Sequence, residues 1–432
     1  MENLKLVANK TIEHLVKEGA DKAKCVVTSK ETHEFNVDGG EFSLFRTLYD
    51  NEISITSYKD NKKGTIVINR FDDEAIIEAV KNCINVADSG SPDDAWDIAP
   101  KQENRIFTEG STTPNIELFF ERTQELLQDI KKRHPRILIE QMIVWHVKEN
   151  NIYLDTNDTE YEFVSGKYVI SLMFSGHEGE KVTSFFGTEV STDNLNKPFI
   201  ELGSIENDLT DVENQLNTVP LLGKFEGVAV ITPSCLVSIM YFIINNFASN
   251  TVILDGTSVW KDKIGKKVAD ERITISLKPL DERVVCGERY TEDGFISENF
   301  DFIKDGILEN FVIPLYVANK TGYERAKNSS FSFVVEGGDT PIDDIIKDVK
   351  KGIIVGRFSG GNPTISGDFS GVAKNSFLVE DGKIVGAINE TMINGNLADL
   401  LNNLVAISKE TVQDGSMVLP YMAFDKVIIS GK

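Results

Sequence analysis

Histidine, cysteine and tryptophan are scarce in this chain: five, four and three in 432 residues. The histidines (His14, His33, His134, His146 and His177) all fall in the first 177 residues, and no two have the spacing of a metal-binding pair. His14 lies beside the core stripe of a helix, His134 ends a helix before Pro135, and the other three fall in strands or turns. His177-Glu178 looks like the first half of a zinc-peptidase helix. That helix needs a second imidazole one turn later, and positions 181 and 182 are Lys and Val. Apolar β-like flanks make residues 176–179 a hairpin turn instead. Cys25, Cys83, Cys235 and Cys286 stand far apart, which excludes a CxxC metal or redox motif. They read as reduced, mostly buried thiols of a cytoplasmic protein.

No basic stripe offsets the acidic balance. Lys and Arg number 45 against 68 Asp and Glu, a net charge of −23. Such a surface has no general attraction for phosphate backbones, so nucleic acid is not an expected partner. The N-terminus lacks an apolar signal core. The most apolar run, residues 235–247, is too short to span a membrane and contains Asn245-Asn246, so a buried helix is expected there.

What is present is an alternation of helices and short β-like runs. Residues 3–18 and 73–87 carry helical apolar stripes, and five strand-like runs lie between them, with turn signals at 38–40, 50–51 and 60–64. Residues 88–114 are polar and turn-rich, and read as a linker or long surface loop. The pattern then restarts: a helix over 115–133, further strands, and an acidic helix over 205–217. From Pro220 the chain is strand-rich, with helices expected near 234–248, 341–350 and 396–408, and Asp381-Gly382 as the strongest hairpin signal. The expected fold is α+β and mostly antiparallel. Two α+β units (1–110 and 111–222) precede a sheet-rich domain (223–432).

Neither glycine-rich piece, 334–340 or 356–363, ends in the Gly-Lys-Ser/Thr of a phosphate loop or has the GxGxxG pattern. They read as turns. "SGDFSG" (366–371) reads as a sharp turn in which Asp368 bonds backbone amides.

Residues 362–407 resemble the TldD/PmbA family, also called modulator of DNA gyrase. The matching pieces are Gly367-Asp368-Phe369-Ser370, residues 380–384 and Thr391–Leu397. Upstream, Ser258, Ile264-Gly265 and Val268-Ala269, residues 305–322, and the segment from Arg46 through 53–87 are also similar. The resemblance implies one of two subunit types. The TldD type carries a His-Glu-x-x-x-His helix and a later Cys. The PmbA (TldE) type lacks them and pairs with the first. Here the corresponding window, 235–249, contains no His, Glu or Asp, and no Cys follows Cys286. The implied protein is a PmbA-type subunit with no metal, cofactor or catalytic residues of its own. It would be a homodimer alone and a heterodimer with a zinc-bearing TldD-type partner, acting on unfolded peptides. The alternatives are an independent non-metal hydrolase and a peptide-binding scaffold.

Overall fold

The computed structural model describes residues 1–389 and 391–431. Its first sheet is built around four very long strands, Lys22–Asp38, Glu41–Lys59, Ile137–Asp155 and Glu160–Glu178. Several pairs of short expected strands are therefore single strands. Asp50-Asn51, read as a turn, lies inside Glu41–Lys59 and pairs with Lys30 and Ser29. A polar pair is no obstacle to a ladder where both residues face solvent.

Segments 1–110 and 111–222 share this one sheet. Lys22–Asp38 pairs antiparallel with Ile137–Asp155, from Lys24–Asp155 to Asp38–Gln141. Odd positions of the first strand and even positions of the second share a face, and that face carries two cores. Cys25, Val27, Ile152 and Leu154 meet the helices Glu2–Lys17 and Asp73–Ser89. Phe35, Val37, Met142 and Val144 meet Ile116–Arg133. The opposite face is covered by the C-terminal half: Tyr153 and Tyr161 pack on Tyr290, Tyr161 Oη donates to Gly294 O (2.8 Å), and Lys24 Nζ donates to Glu292 O (2.6 Å).

Residues 88–114 are not a plain linker. Ala95, Ile98 and Ala99 are buried, Trp96 stacks on Tyr316 at 3.7 Å, and Arg105–Gly110 forms a strand parallel to Tyr161–Gly166. Four apolar residues suffice to pin a strap whose composition is otherwise polar.

Among the described residues the second sheet has thirteen strands in mixed order. Lys224–Ile231 lies between Val418–Ser430 (antiparallel) and Lys351–Val355 (parallel). Asp381 and Gly382 take φ of 47° and 74° between paired Glu380 and Lys383, the two-residue hairpin that Asp-Gly favours. The helix expected over 396–408 is only Leu397–Asn402. From Leu404 the chain is a strand paired with Val418–Ser430, where burial of Leu404 and Ser408 decides the conformation.

Candidate functional site

The apolar helix Pro233–Ile243 runs out of the strand Lys224–Ile231 into the largest core of the protein. Thr232 caps it: its hydroxyl accepts from Cys235 N (3.3 Å) and donates to Gly356 O (3.3 Å). Thr232→Ala should cost about 1 kcal/mol in denaturant melts, as loss of a cap does. Leu236, Ile239, Met240, Ile243 and Phe247 are buried as expected, whereas Phe242 is half-buried. The helix widens into a π-turn over Ile244–Ala248 and resumes at Asn250–Leu254. The whole stretch, Pro233–Leu254, is 22 residues, and its most apolar 18-residue window has mean hydropathy 1.4. It is thus longer than the sequence run suggested, and long and apolar enough to cross a membrane; half of it is buried inside the fold.

Chemically this helix is poor. Cys235 is its one thiol, and complete burial pushes that thiol up to about 12. A thiol so disfavoured as thiolate is neither ligand nor nucleophile near neutral pH. The outward side is aromatic: Tyr241 packs on Phe331 (5.2 Å) and Phe333, Phe242 on Phe358 (5.9 Å), and Phe358 on Phe369.

The "SGDFSG" segment is clasped onto this helix. Gly367, at φ +93°, lies so close to Phe247 that a Cβ would come within 2.6 Å of its ring. The Asp368 carboxylate does not bond backbone amides. It accepts from Ser366 Oγ (2.7 Å) and Asn396 Nδ2 (2.9 Å), which hold it below the usual carboxylate range. Asn396 Oδ1 in turn caps Leu397–Asn402 through Ala398 N (2.9 Å). The residues that most resemble the family therefore form a structural clasp.

Two open features adjoin it. The strand Arg357–Gly360 pairs, among the described residues, only with Asp368–Lys374, so its other edge has no ladder partner, although the Phe358 N–H is directed at the Cys235 thiol. A cleft of about 490 Å³ lies between Thr183–Ser184 and Val372–Lys374. Residues 366–371 and Gly360-Gly361 lie outside its lining, to which the strand Asp368–Lys374 contributes only from Val372 onward. Its walls include the side-chain amides of Gln215 and Asn375, which bond each other (2.8 Å) and leave one donor and one acceptor unpartnered. Exchanging the O and N of both amides would leave the same surplus.

His33 and His146 face each other across the ladder of Lys22–Asp38 and Ile137–Asp155, and the other histidines stand apart from them. His134 sits between Glu206 and Glu213, both at 3.3 Å, and His146 Nε2 bonds Ser111 O at 2.7 Å in a site whose burial lowers its pKa. His177 is 2.9 Å from Ser175 Oγ, which donates to Glu140 at 2.5 Å. The carboxylate thus holds the serine rather than orienting the imidazole, and Ser175 is buried, so the trio is not a nucleophilic triad. Among the described residues no three His, Cys, Asp or Glu side chains converge as metal ligands.

Residues 226–431 match the family model of the PmbA/TldA metallopeptidase C-terminal domain. Metalloprotease PmbA of Escherichia coli O157:H7 is 22% identical over 438 residues, covering 93% of this chain and 92% of the relative. A PmbA homolog of Haemophilus influenzae is 23% identical over 410 residues, covering 88% and 86%. Among solved structures, TldE of Thermococcus kodakarensis superposes with a TM-score of 0.84 at 21% identity, covering 98% of this chain and 100% of that one. A Bacteroides thetaiotaomicron protein with the provisional name modulator of DNA gyrase gives 0.88 at 23% identity, covering 99% of each.

Proposed function

On the premise that the C-terminal half of this chain is a PmbA/TldD-family domain, we propose that the protein is the metal-free, PmbA-type subunit of a cytoplasmic peptidase complex. The observation that carries this reading is the apolar helix. Where the family resemblance places the metal motif, residues 235–249 offer no imidazole and no carboxylate, and the sole thiol is buried. A zinc site needs three or four placed ligands, and the residues present do not fit one. No step of catalysis is therefore assigned to this chain. Its part is to bind: the free edge of Arg357–Gly360, one aromatic layer from the helix, suits an extended peptide added as a further strand. Alone the protein forms a homodimer through its C-terminal domain, and a His-Glu-x-x-x-His relative exchanges into a heterodimer.

The test is cleavage of an unstructured peptide by the chain alone, by such a relative alone, and by the two coexpressed, each with and without chelator. Only the coexpressed pair should cleave, and chelator should abolish it. Peptides with alternate N-methylated backbone amides should bind about ten-fold or more weakly, since each lost ladder bond removes roughly 1 kcal/mol. Chelator-resistant cleavage by the pure chain would establish the independent hydrolase instead.

A further inference from the structure

Among the described residues nine of the eleven arginines pair with a carboxylate: Arg46, Arg70, Arg105, Arg122, Arg133, Arg136, Arg272, Arg283 and Arg289. In a chain with 68 acidic residues against 45 basic ones this is the default. Arg325 and Arg357 depart from it, the latter lying over the Phe185 ring. The Arg325 guanidinium lies over the Phe295 ring, its Cζ 3.5 Å from the centroid, and among the described residues it makes no ion pair. One N–H is spent on the Ala326 carbonyl (2.8 Å). The rest of its fork of donors is unmatched among the described residues.

Arg325 lines a cavity of about 240 Å³ between the end of the apolar helix and the segment 291–295. Asp293 lines the same cavity. Its carboxylate accepts from Leu315 N (3.0 Å), and its field is felt at Arg325 although no ion pair joins them. Burial disfavours charge on both groups. Ile313, Pro314 and Phe331 supply an apolar wall. A guanidinium and a carboxylate held apart beside an apolar wall match one ligand chemistry: an α-carboxylate, a nitrogen donor on the adjacent carbon, and an apolar side chain.

We propose that this cavity binds the carboxylate end of an apolar amino-acid residue. Arg325 takes the α-carboxylate, Asp293 accepts from the α-nitrogen, and Ile313, Pro314 and Phe331 hold the side chain. A free amino acid and the C-terminal residue of a peptide share this chemistry. The site lies on this chain alone and does not depend on the subunit reading above.

Calorimetry on the purified full-length chain with leucine, N-acetyl-leucine and leucinamide tests it. Leucine or N-acetyl-leucine should bind, and leucinamide at least about ten-fold more weakly, because a charge-assisted pair to Arg325 is lost. Tighter binding of leucine than of N-acetyl-leucine identifies a free amino acid as the ligand. Equal or reversed order identifies a peptide end. Asp293→Asn should weaken leucine more than N-acetyl-leucine, and Arg325→Met should weaken both. Leucinamide binding as tightly as leucine would overturn the proposal. So would absence of binding by all three at about 10 mM, well above the millimolar range of a weak small-ligand site.

Discussion

Phe247→Ala should destabilise the C-terminal half by about 3–5 kcal/mol, the usual cost of emptying a buried phenylalanine site. Phe247 is fully buried, its ring stands 4.6 Å from Trp260, and its carbonyl accepts from Ser258 Oγ at 2.6 Å. The cavity should not collapse easily, because Gly367 approaches the ring in a left-handed conformation that the clasp of Asp368 and Asn396 fixes. Urea denaturation followed through tryptophan fluorescence measures it, since Trp260 reports directly on the lost contact. The control is Phe242→Ala, whose half-buried ring rests on Phe358, and which should cost clearly less. Equal losses would mean that the clasp does not rest on Phe247.

This junction also shows how far the sequence could be read. The apolar helix was legible because its residues are apolar around most of the circumference, and it needs no distant partner to be recognised. Asp381-Gly382 was legible because the turn demands positive φ and those two residues tolerate it. Asp368 was legible as a turn residue. Its real partner, Asn396, lies 28 positions away, and no local pattern announces a side-chain bond at that range. The same limit hid the joining of the two N-terminal segments, since Lys24 pairs with Asp155 at a sequence separation of 131. Trp96 on Tyr316 is a third case: a packed strap and a free loop share the same polar composition until the partner surface is known. Arg325 and Asp293 were silent for a different reason. Single charged residues in irregular segments carry no periodicity, and only folding reveals that one of them has been left without a counter-ion.

The largest pH effect should come from Asp208. It is 8% exposed in the helix Ile205–Asn214, where burial is the main cause that lifts its carboxyl from 3.8 to about 7; Ser204 Oγ, donating at 2.6 Å, only partly opposes this. The folded state therefore holds a proton that the unfolded chain releases between about pH 4 and pH 7. In that window the native state binds more protons, so stability falls as pH rises, and the loss is complete above pH 7. A shift of this size corresponds to about 4 kcal/mol at most. Asp208→Asn cannot ionise and keeps an acceptor for Ser204. It should match the parent near pH 4 and exceed its stability by up to about 4 kcal/mol at pH 8, with the excess growing steadily in between. Asp155, Asp211 and Asp293 are raised by burial too, so the parent curve alone does not isolate Asp208; the difference between the two proteins reports Asp208 together with its coupling to Asp211. Chemical denaturation at pH 4, 6 and 8 supplies that difference. Parallel curves would mean that Asp208 is ionised in the fold, and that the junction between its helix and the start of the apolar helix admits solvent enough to support the charge.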